Sequence, residues 1–575
     1  MNSNADVAAQ TVQWAGKSPK GLRPQPKGRQ VTQAARAAVA EHCAGLEARA
    51  DLLIEHLHRL QDACGGLWAD HVAALAEHLR LSPSEVYEVA TFYHHFEWLD
   101  GADTPTQVAV RVCTSLPCQM AGTRGLLAAV RERVAGAAGV AVLEAPCLGQ
   151  CHVAPAATVG QHQVPHASAE GVAELVARRA VQARRPPAWQ APDHPGDYRQ
   201  FQRLLAGGMG KGDVLATLKA SGLRGLGGAG FPAWRKWETV MAQPGPRHLV
   251  VNIDEGEVGT FKDWSVLTTS PRQVLEGVLI AAWVVGAERV WLYLRDEYHD
   301  ARGLLADEMA RLHARMAVWR QAHPDVVWPA LELRRGAGAY VCGEESALIE
   351  SIEGKRGLPR LKPPIVAVQG VFGRPTLAHN LETLWWLPLL LDNGGAWWAA
   401  QGVRGRVGLR RYSVSGRVRT PGVYLAPAGT TLRELVDHHA GGMLPGHDLY
   451  AFLPGGASGG ILPAALADVP LDFDTLAEHG AFVGSMAVVV LGHQDKVRDA
   501  ALSLMGFFKH ESCGQCTPCR AGTAQAEALM QAPRWDAGTL ADLSQVMREA
   551  SICGLGQAAP NPFDAVLRHF PHEVL

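Results

Sequence analysis

The sequence predicts a multidomain α/β protein with helical units at both ends. Three observations lead there. Strand-like and helix-like segments alternate from residue 107 to about residue 405. Residues 31–98 and the stretch from Val497 onward instead carry apolar residues at helical spacing only. A chain of 575 residues also exceeds what one core supports and accommodates roughly three to five domains.

The elements follow in order. The first thirty residues, "MNSNADVAAQTVQWAGKSPKGLRPQPKGRQ", are polar and rich in Pro and Gly, and predict an extended arm without the apolar core of a secretory signal. "SPSEVYEVATFYHHF" opens a helix with Ser82, Pro83 and Glu85, a capping box with proline in the first turn. "TQVAVRVC" reads as a strand, "GTRGLLAAVRERVA" as a helix, "VAVLEAPC" and "PAATVG" as strands, and "SAEGVAELVARRAVQ" as a helix. "RRPPAWQAPDHPGDY" is a linker. "HLVVNIDEGE", "RVWLYLRDEY" and "LELRRGAGAY" predict strands that run into functional loops. "VLEGVLIAAWVVGAERVWLYL" is too interrupted by Glu, Gly and Arg to cross a membrane, and predicts a buried helix followed by a strand. "RRYSVSGRVRTPGVYLAPAGTTLRELVDHHAGG" predicts a hairpin, a further strand and a Thr-capped helix, in a small β-grasp-like domain. The expected boundaries are an arm over 1–30, a first unit over 31–182, a linker over 183–200, a large α/β domain over 201–405, the β-grasp-like domain over 406–492 and a helical domain over 493–575.

The net charge of −2 excludes a dedicated nucleic-acid binder, and no apolar run has the length of a membrane span. Without a secretion signal the expected compartment is the reducing cytoplasm, where grouped cysteines favour metal ligation over disulfides. Of the eleven cysteines, eight are grouped. Cys513, Cys516 and Cys519 in "ESCGQCTPCR" have C-x2-C-x2-C spacing, which wraps three corners of a cubane; Cys553 in "SICGLG" supplies the fourth, giving a 4Fe–4S cluster. Zinc prefers paired C-x2-C units and would need an odd split. Cys113 and Cys118 (C-x4-C) with Cys147 and Cys151 (C-x3-C) fit a 2Fe–2S cluster, two thiolates per iron. Cys43, Cys64 and Cys342 read as small core residues, and His94, His95, His438 and His439 as structural or surface residues.

"GLRGLGGAGFPAWRKW" contains G-x-G-x-x-G at Gly225, Gly227 and Gly230. A dinucleotide-binding turn of that pattern must follow a buried parallel strand. Here "DVLATLKASGLR" precedes it with helical spacing, so the loop predicts a different anion site: glycine-rich backbone, a helix start at Pro232, and charge from Arg224 and Lys236. Asp254, Glu255 and Glu257, with Glu344 and Glu345, suit sugar hydroxyls; Lys355, Arg356, Arg360 and Lys362 suit phosphates.

These motifs together closely resemble the NADH- and FMN-binding subunit of respiratory NADH dehydrogenase. Residues 31–180 resemble its thioredoxin-like 2Fe–2S partner subunit, here fused to it, and the resemblance spans about 30 to 570. Fused chains of this kind are similar to the diaphorase subunits of soluble NAD-linked formate dehydrogenases and NAD-reducing hydrogenases. "GLRGLGGAGF", "LPGGASGGILP" and "ESCGQCTPCR" look most like the β subunit of the molybdenum- or tungsten-dependent formate dehydrogenase. Some hydrogenase counterparts lack part of the N-terminal cysteine set, which this chain keeps whole.

The resemblance implies a thioredoxin-like 2Fe–2S domain, a modified Rossmann-like FMN and NAD domain, and a C-terminal helical 4Fe–4S domain. It implies FMN contacts at Gly225, Gly227, Lys236, Asn252, Asp254, Glu255, Gly343, Glu344 and Asn380, and NAD-side residues at Phe231, Glu257, Tyr340, Glu345 and Lys362. Leu226 stands where arginine is usual, Ile365 replaces an aromatic residue, and His379 stands where a second asparagine is common. Nicotinamide exchanges hydride and iron–sulfur clusters take single electrons, so FMN must mediate. The nicotinamide C4 is expected near the flavin N5. The 4Fe–4S cluster should lead to a partner, with the 2Fe–2S cluster on the flavin's other side as a one-electron store. No residue need act as acid or base, although Glu257 and Glu345 could tune the flavin. The expected partner is a catalytic α subunit with a molybdenum or tungsten pterin cofactor and further clusters. The rivals are a hydrogenase diaphorase, a non-enzymatic iron–sulfur docking scaffold and a zinc adaptor.

Overall fold

The computed structural model describes residues 29–184 and 198–575. The predicted arm lies outside the described residues except for its last two positions, as does most of the linker. The chain opens with helices, among them Leu53–Cys64 and Pro83–Phe92, tied by a two-residue parallel pair, β1 (Leu67–Trp68) with β2 (Trp98–Leu99). The capping box forms as read: Glu85 N–H donates to Ser82 Oγ (3.2 Å), and Ser82 N–H to Glu85 Oε2 (2.8 Å).

A four-stranded sheet follows, from β3 (Val108–Cys113), β4 (Val140–Ala145), β5 (Ala157–Val159) and β6 (His162–Val164), in the order β4-β3-β5-β6. β3 alternates between buried and half-buried residues, as one covered face requires. Helices Thr123–Arg133 and Ala169–Ala177 cover the sheet, and its cysteines lie just beyond the strand ends.

The large domain is built on four parallel strands, β7 (Arg247–Ile253), β8 (Ala287–Leu294), β9 (Ala330–Arg335) and β10 (Thr376–Asn380), in the order β10-β7-β8-β9. The glycine loop precedes this sheet. It runs from helix Lys211–Ser221 into helix Ala233–Met241, so the expected departure from a dinucleotide-binding turn holds. The apolar stretch before β8 forms the helix Pro271–Val285, buried on nearly every face. It packs so closely that a Cβ on Gly277 would lie 2.0 Å from the Leu384 carbonyl. From β7 the order steps one way to β8 and β9, while β10 lies on the other side. The crevice outside the carboxyl ends of β7 and β10 is where open α/β sheets bind ligands.

A five-stranded mixed sheet comes next: β11 (Leu409–Gly416), β12 (Gly422–Pro427), β13 (Leu449–Leu453), β14 (Leu462–Pro463) and β15 (Ala487–Gly492), in the order β12-β11-β15-β13-β14. The hairpin is β11–β12, but no further strand precedes the capped helix. Gly429, at φ +90°, turns the chain straight into the Thr431 capping box, and the helix is a single turn that continues as a π turn. The chain ends in helices, of which Val497–His510 and Thr517–Met530 flank the last cysteine motif. No helix among the described residues is long and apolar enough to cross a membrane.

The first unit docks on the large domain through buried polar contacts. His58 lies 2.8 Å from the Gly336 carbonyl, and Tyr93 donates to the Lys355 carbonyl (2.8 Å). His95 meets Asp296 at 3.0 Å. His95 is thus a joint between units, a role its helical-face position conceals.

Candidate active site and cluster sites

Three loops meet at the crevice. The glycine loop is pinned by Gly225 N–H to the Phe231 carbonyl (2.8 Å) and Leu226 N–H to Thr383 Oγ1 (2.9 Å). Gly227 lies against Asn380, and a Cβ there would sit 2.9 Å from the Asn380 Cβ. Its amide donates to no group among the described residues. The second loop, Asp254–Gly256, leaves the end of β7. Asn252 orders it, donating to the Gly343 carbonyl (2.9 Å) and accepting from Asp254 N–H (3.0 Å). Asp254 Oδ2 is buried without a hydrogen-bond partner, and burial pushes the carboxyl well above its usual range. The third loop, 336–344, leaves β9 and leads into helix Glu345–Ile352, where Glu344 caps Ser346 N–H (2.9 Å) and Ala347 N–H (3.0 Å). An orphaned carboxylate oxygen, a free glycine amide and a glycine cradle fit a ligand with hydroxyl and phosphate groups, as the ribityl phosphate of FMN has.

The implied contacts divide by their surroundings. Glu345 bridges Lys236 (3.1 Å) and Lys362 (3.3 Å); burial would raise its carboxyl, but the two ammonium groups hold it below the ordinary range. Lys362 also meets Glu344 at 2.9 Å. Tyr340 donates its hydroxyl to Glu257, which also accepts from Ser458 N–H (2.8 Å) and Ser458 Oγ (2.9 Å). Phe231 is exposed. Asn380 donates to Asp263 (2.5 Å) and accepts from Glu382 N–H (3.0 Å), so its amide orientation is fixed.

Glu255 faces the other way. Its carboxylate accepts from the amides of Asp263 (2.9 Å) and Trp264 (3.1 Å) and from the Tyr298 hydroxyl (2.7 Å). Burial, then the neighbouring Asp263, pushes it up to about 8. Its side chain anchors helix Lys262–Thr269, leaving only its backbone for the crevice. Arg224 is likewise committed, to Asp474 (2.8 Å) and to the Gly230 carbonyl. The departures from the usual pattern are also explained in part. Leu226 is fully buried in the core. His379 is buried and accepts from the Trp237 indole (2.9 Å), and burial lowers its pKa to about 3, so it is a neutral core group.

The cluster sites flank these loops. Cys513, Cys516, Cys519 and Cys553 line one small pocket together with Val341 and Pro359. Tyr340, next to Val341, donates its amide to Glu511 (2.9 Å) and packs its ring 5.1 Å from Phe507. The third loop therefore separates the crevice from this pocket. Cys113, Cys118, Cys147 and Cys151 are all buried. The Cys147 and Cys151 sulfurs lie 3.4 Å apart; that hydrogen bond, with Arg295 nearby, outweighs burial and brings Cys147 down to about 6. Both sets suit thiolate ligation of a cluster. Cys43 and Cys342 are buried and Cys64 half-buried.

Arg295 joins the second site to the crevice. It donates to the Cys147 carbonyl (2.6 Å) and to that of Glu255. His152 stacks 4.7 Å from Phe261. Sequence reasoning passes over Arg295 and Tyr298 as site residues, although "RDEY" after a predicted strand is the available signal. Gly149, at φ +69°, sits so tightly that a Cβ would lie 2.5 Å from Tyr298 Cε1. Gly149→Val should cost about 3 kcal/mol of docking and raise amide exchange over residues 255–264. Unchanged exchange would contradict this close fit.

Comparison with known proteins agrees with this layout. Residues 39–180 match the thioredoxin-like 2Fe–2S ferredoxin family, and 218–388 the Nuo51 FMN-binding domain. Residues 411–462 match the SLBB domain, and 499–575 the NADH-ubiquinone oxidoreductase-F iron–sulfur binding region. The second F-type NADH-quinone oxidoreductase subunit of Rhizobium meliloti (strain 1021) is 40% identical over 385 residues, 66% of this chain and 91% of that protein. The mitochondrial NADH dehydrogenase (ubiquinone) flavoprotein 1 of Dictyostelium discoideum is 38% identical over 390 residues, 66% of this chain and 81% of that protein. The crystal structure of an NAD+-reducing NiFe hydrogenase in the H2-reduced state superposes with a TM-score of 0.81 at 33% identity, covering 92% of both chains. The chain therefore belongs to the family of FMN- and iron–sulfur-carrying electron-transfer subunits of NADH dehydrogenase-like complexes, with a thioredoxin-like 2Fe–2S domain joined ahead of its flavin domain.

Proposed function

We propose that this chain is the diaphorase subunit of an NAD-dependent formate dehydrogenase. In this reading, electrons from a molybdenum- or tungsten-pterin catalytic subunit enter through the 4Fe–4S site and leave as hydride on NAD+, reversibly. The observation that carries the diaphorase reading is the placement of one crevice between two four-cysteine sites, each one loop away. The formate assignment rests on the likeness of "GLRGLGGAGF", "LPGGASGGILP" and "ESCGQCTPCR" to that enzyme's β subunit.

Bound FMN supplies the exchange between a hydride pair and single electrons. The protein's part is placement. Gly225, Gly227, Asn252, Asp254, Gly343, Glu344 and Asn380 form the FMN cradle, with Glu255 contributing backbone. Lys236 and Lys362 offer charge to phosphate while keeping Glu345 ionised. Phe231 presents an exposed ring to a nucleotide, and Tyr340 with Glu257 closes the crevice on the 4Fe–4S side. The domain limits 31–182, 201–405, 406–492 and 493–575 are the units of this assembly.

A hydrogenase diaphorase is the second reading, favoured by the superposition over 92% of the NAD+-reducing hydrogenase chain. Purifying the native complex separates the two. Formate-driven NAD+ reduction with molybdenum or tungsten present is expected. Nickel with H2-driven reduction would overturn the formate assignment and leave the diaphorase intact.

A further inference from the structure

Among the described residues, two groups of metal-ligating side chains lie outside the cysteine sites. In the first, His58, His95 and Asp296, the guanidiniums of Arg335 (2.5 Å) and Arg302 (3.3 Å) already neutralise the carboxylate, which disfavours a cation. The second, His94, His510 and Glu511, shares the spacing, with three candidate ligand atoms within 4.8 Å of one another, but has no arginine on its carboxylate among the described residues. His510 Nδ1 is 3.2 Å from Glu511 Oε1, and the two imidazole rings are 4.2 Å apart. The Glu511 side chain is only 3% exposed, yet no lysine or arginine among the described residues pairs with it. The His510 side chain is 46% exposed, so solvent reaches the cluster.

A buried carboxylate with no fixed cation beside it is costly unless something charged or hydrogen-bonded accompanies it. The Tyr340 amide satisfies one oxygen at 2.9 Å. The other oxygen is held by His510 Nδ1 at 3.2 Å, with the His94 ring beside it, so among the described residues the only charge partners within reach are imidazoles. A tetrahedral Zn2+ with bonds of about 2.0–2.1 Å spaces its ligand atoms about 3.4 Å apart. The His510–Glu511 pair is already near that spacing. His94 closes the remainder by rotating an exposed side chain.

We propose that His94, His510 and Glu511 form a site for a borderline divalent cation of the Zn2+ class, completed by water, that clamps the N-terminal helical unit to the 4Fe–4S domain. Two imidazoles and one carboxylate select Zn2+ over the hard cations Mg2+ and Ca2+, which prefer all-oxygen shells. The placement gives the clamp its reach. His94 lies just past helix Pro83–Phe92 of the first unit, and His510 and Glu511 end the helix that leads into Cys513. Glu511 also holds the Tyr340 loop, so the cation would join three segments at one point.

The test is anaerobic equilibrium dialysis of the cluster-loaded full chain against micromolar Zn2+ with millimolar Mg2+, reading bound zinc and iron by mass spectrometry. The wild type should bind one more zinc per chain than either His94→Ala or His510→Ala, with iron unchanged throughout. A His438→Ala control should bind as the wild type does. Equal zinc in the wild type and both variants would overturn the site, as would loss in only one of them, or zinc uptake matched by iron release. If His510→Ala fails to keep its clusters, the His94→Ala result decides, because His94 lies on a different unit.

Discussion

Asp254→Leu is expected to purify with its clusters but without flavin. The Asp254 Oδ2 is buried and unpartnered, which makes it costly to the unliganded protein and useful to a ligand that brings hydroxyl donors. Leaving a buried ligand hydroxyl without its acceptor costs about 1–3 kcal/mol, so removing the carboxyl should weaken FMN binding by about fivefold to 150-fold. Leucine removes an isolated buried carboxyl and adds no polar atom, so the thermal stability of the unliganded variant should equal or exceed that of the unliganded wild type. Asp254→Asn keeps an acceptor oxygen at the same position and should fall between. The ratio of flavin to protein after desalting reads the effect. Stoichiometric flavin in Asp254→Leu would remove this carboxylate from the cradle.

Cys519→Ala should separate hydride transfer from electron exit. Cys519, the third cysteine of the motif, is buried in the first turn of helix Thr517–Met530, and a Cβ on Gly556 would lie 2.9 Å from the Cys519 Cβ. Burial pushes its thiol up to about 12, so it ligates as thiolate only when metal holds the charge. The variant should lose the 4Fe–4S resonance in electron paramagnetic spectra. NADH should still reduce the flavin, while delivery to or from the partner is largely lost. The matching Cys151→Ala variant should lose the 2Fe–2S resonance and keep most through-traffic. The loop that carries Tyr340 and Val341 borders the 4Fe–4S pocket, whereas the 2Fe–2S site meets the crevice on the Arg295 side. Equal loss of traffic in both variants would contradict a side position for the 2Fe–2S cluster.

The cysteine sets are legible in the sequence because ligand spacing is local, and only the fourth ligand of the last set has to be found at a distance. The glycine loop is legible as no dinucleotide turn, because the helical spacing before it is also local. What escapes depends on distant chain. Glu255 stands in an acidic run that reads as ligand-facing, but residues 263–264 and Tyr298 turn its side chain inward. Arg224 looks free in sequence and is claimed by Asp474, 250 positions away. His94 and His95 share a helix end, yet one meets His510 and the other Asp296. The strand expected before Thr431 does not form because a glycine turn and a capping box outweigh the apolar residues around them.

The central claim is that one crevice passes electrons between NADH and both clusters. An anaerobic NADH titration of the isolated full chain, followed by visible absorbance, tests it most directly. The account predicts that stoichiometric NADH bleaches the flavin and iron–sulfur bands together. A brown protein that NADH cannot bleach would keep the clusters and contradict the crevice as an NADH and FMN site.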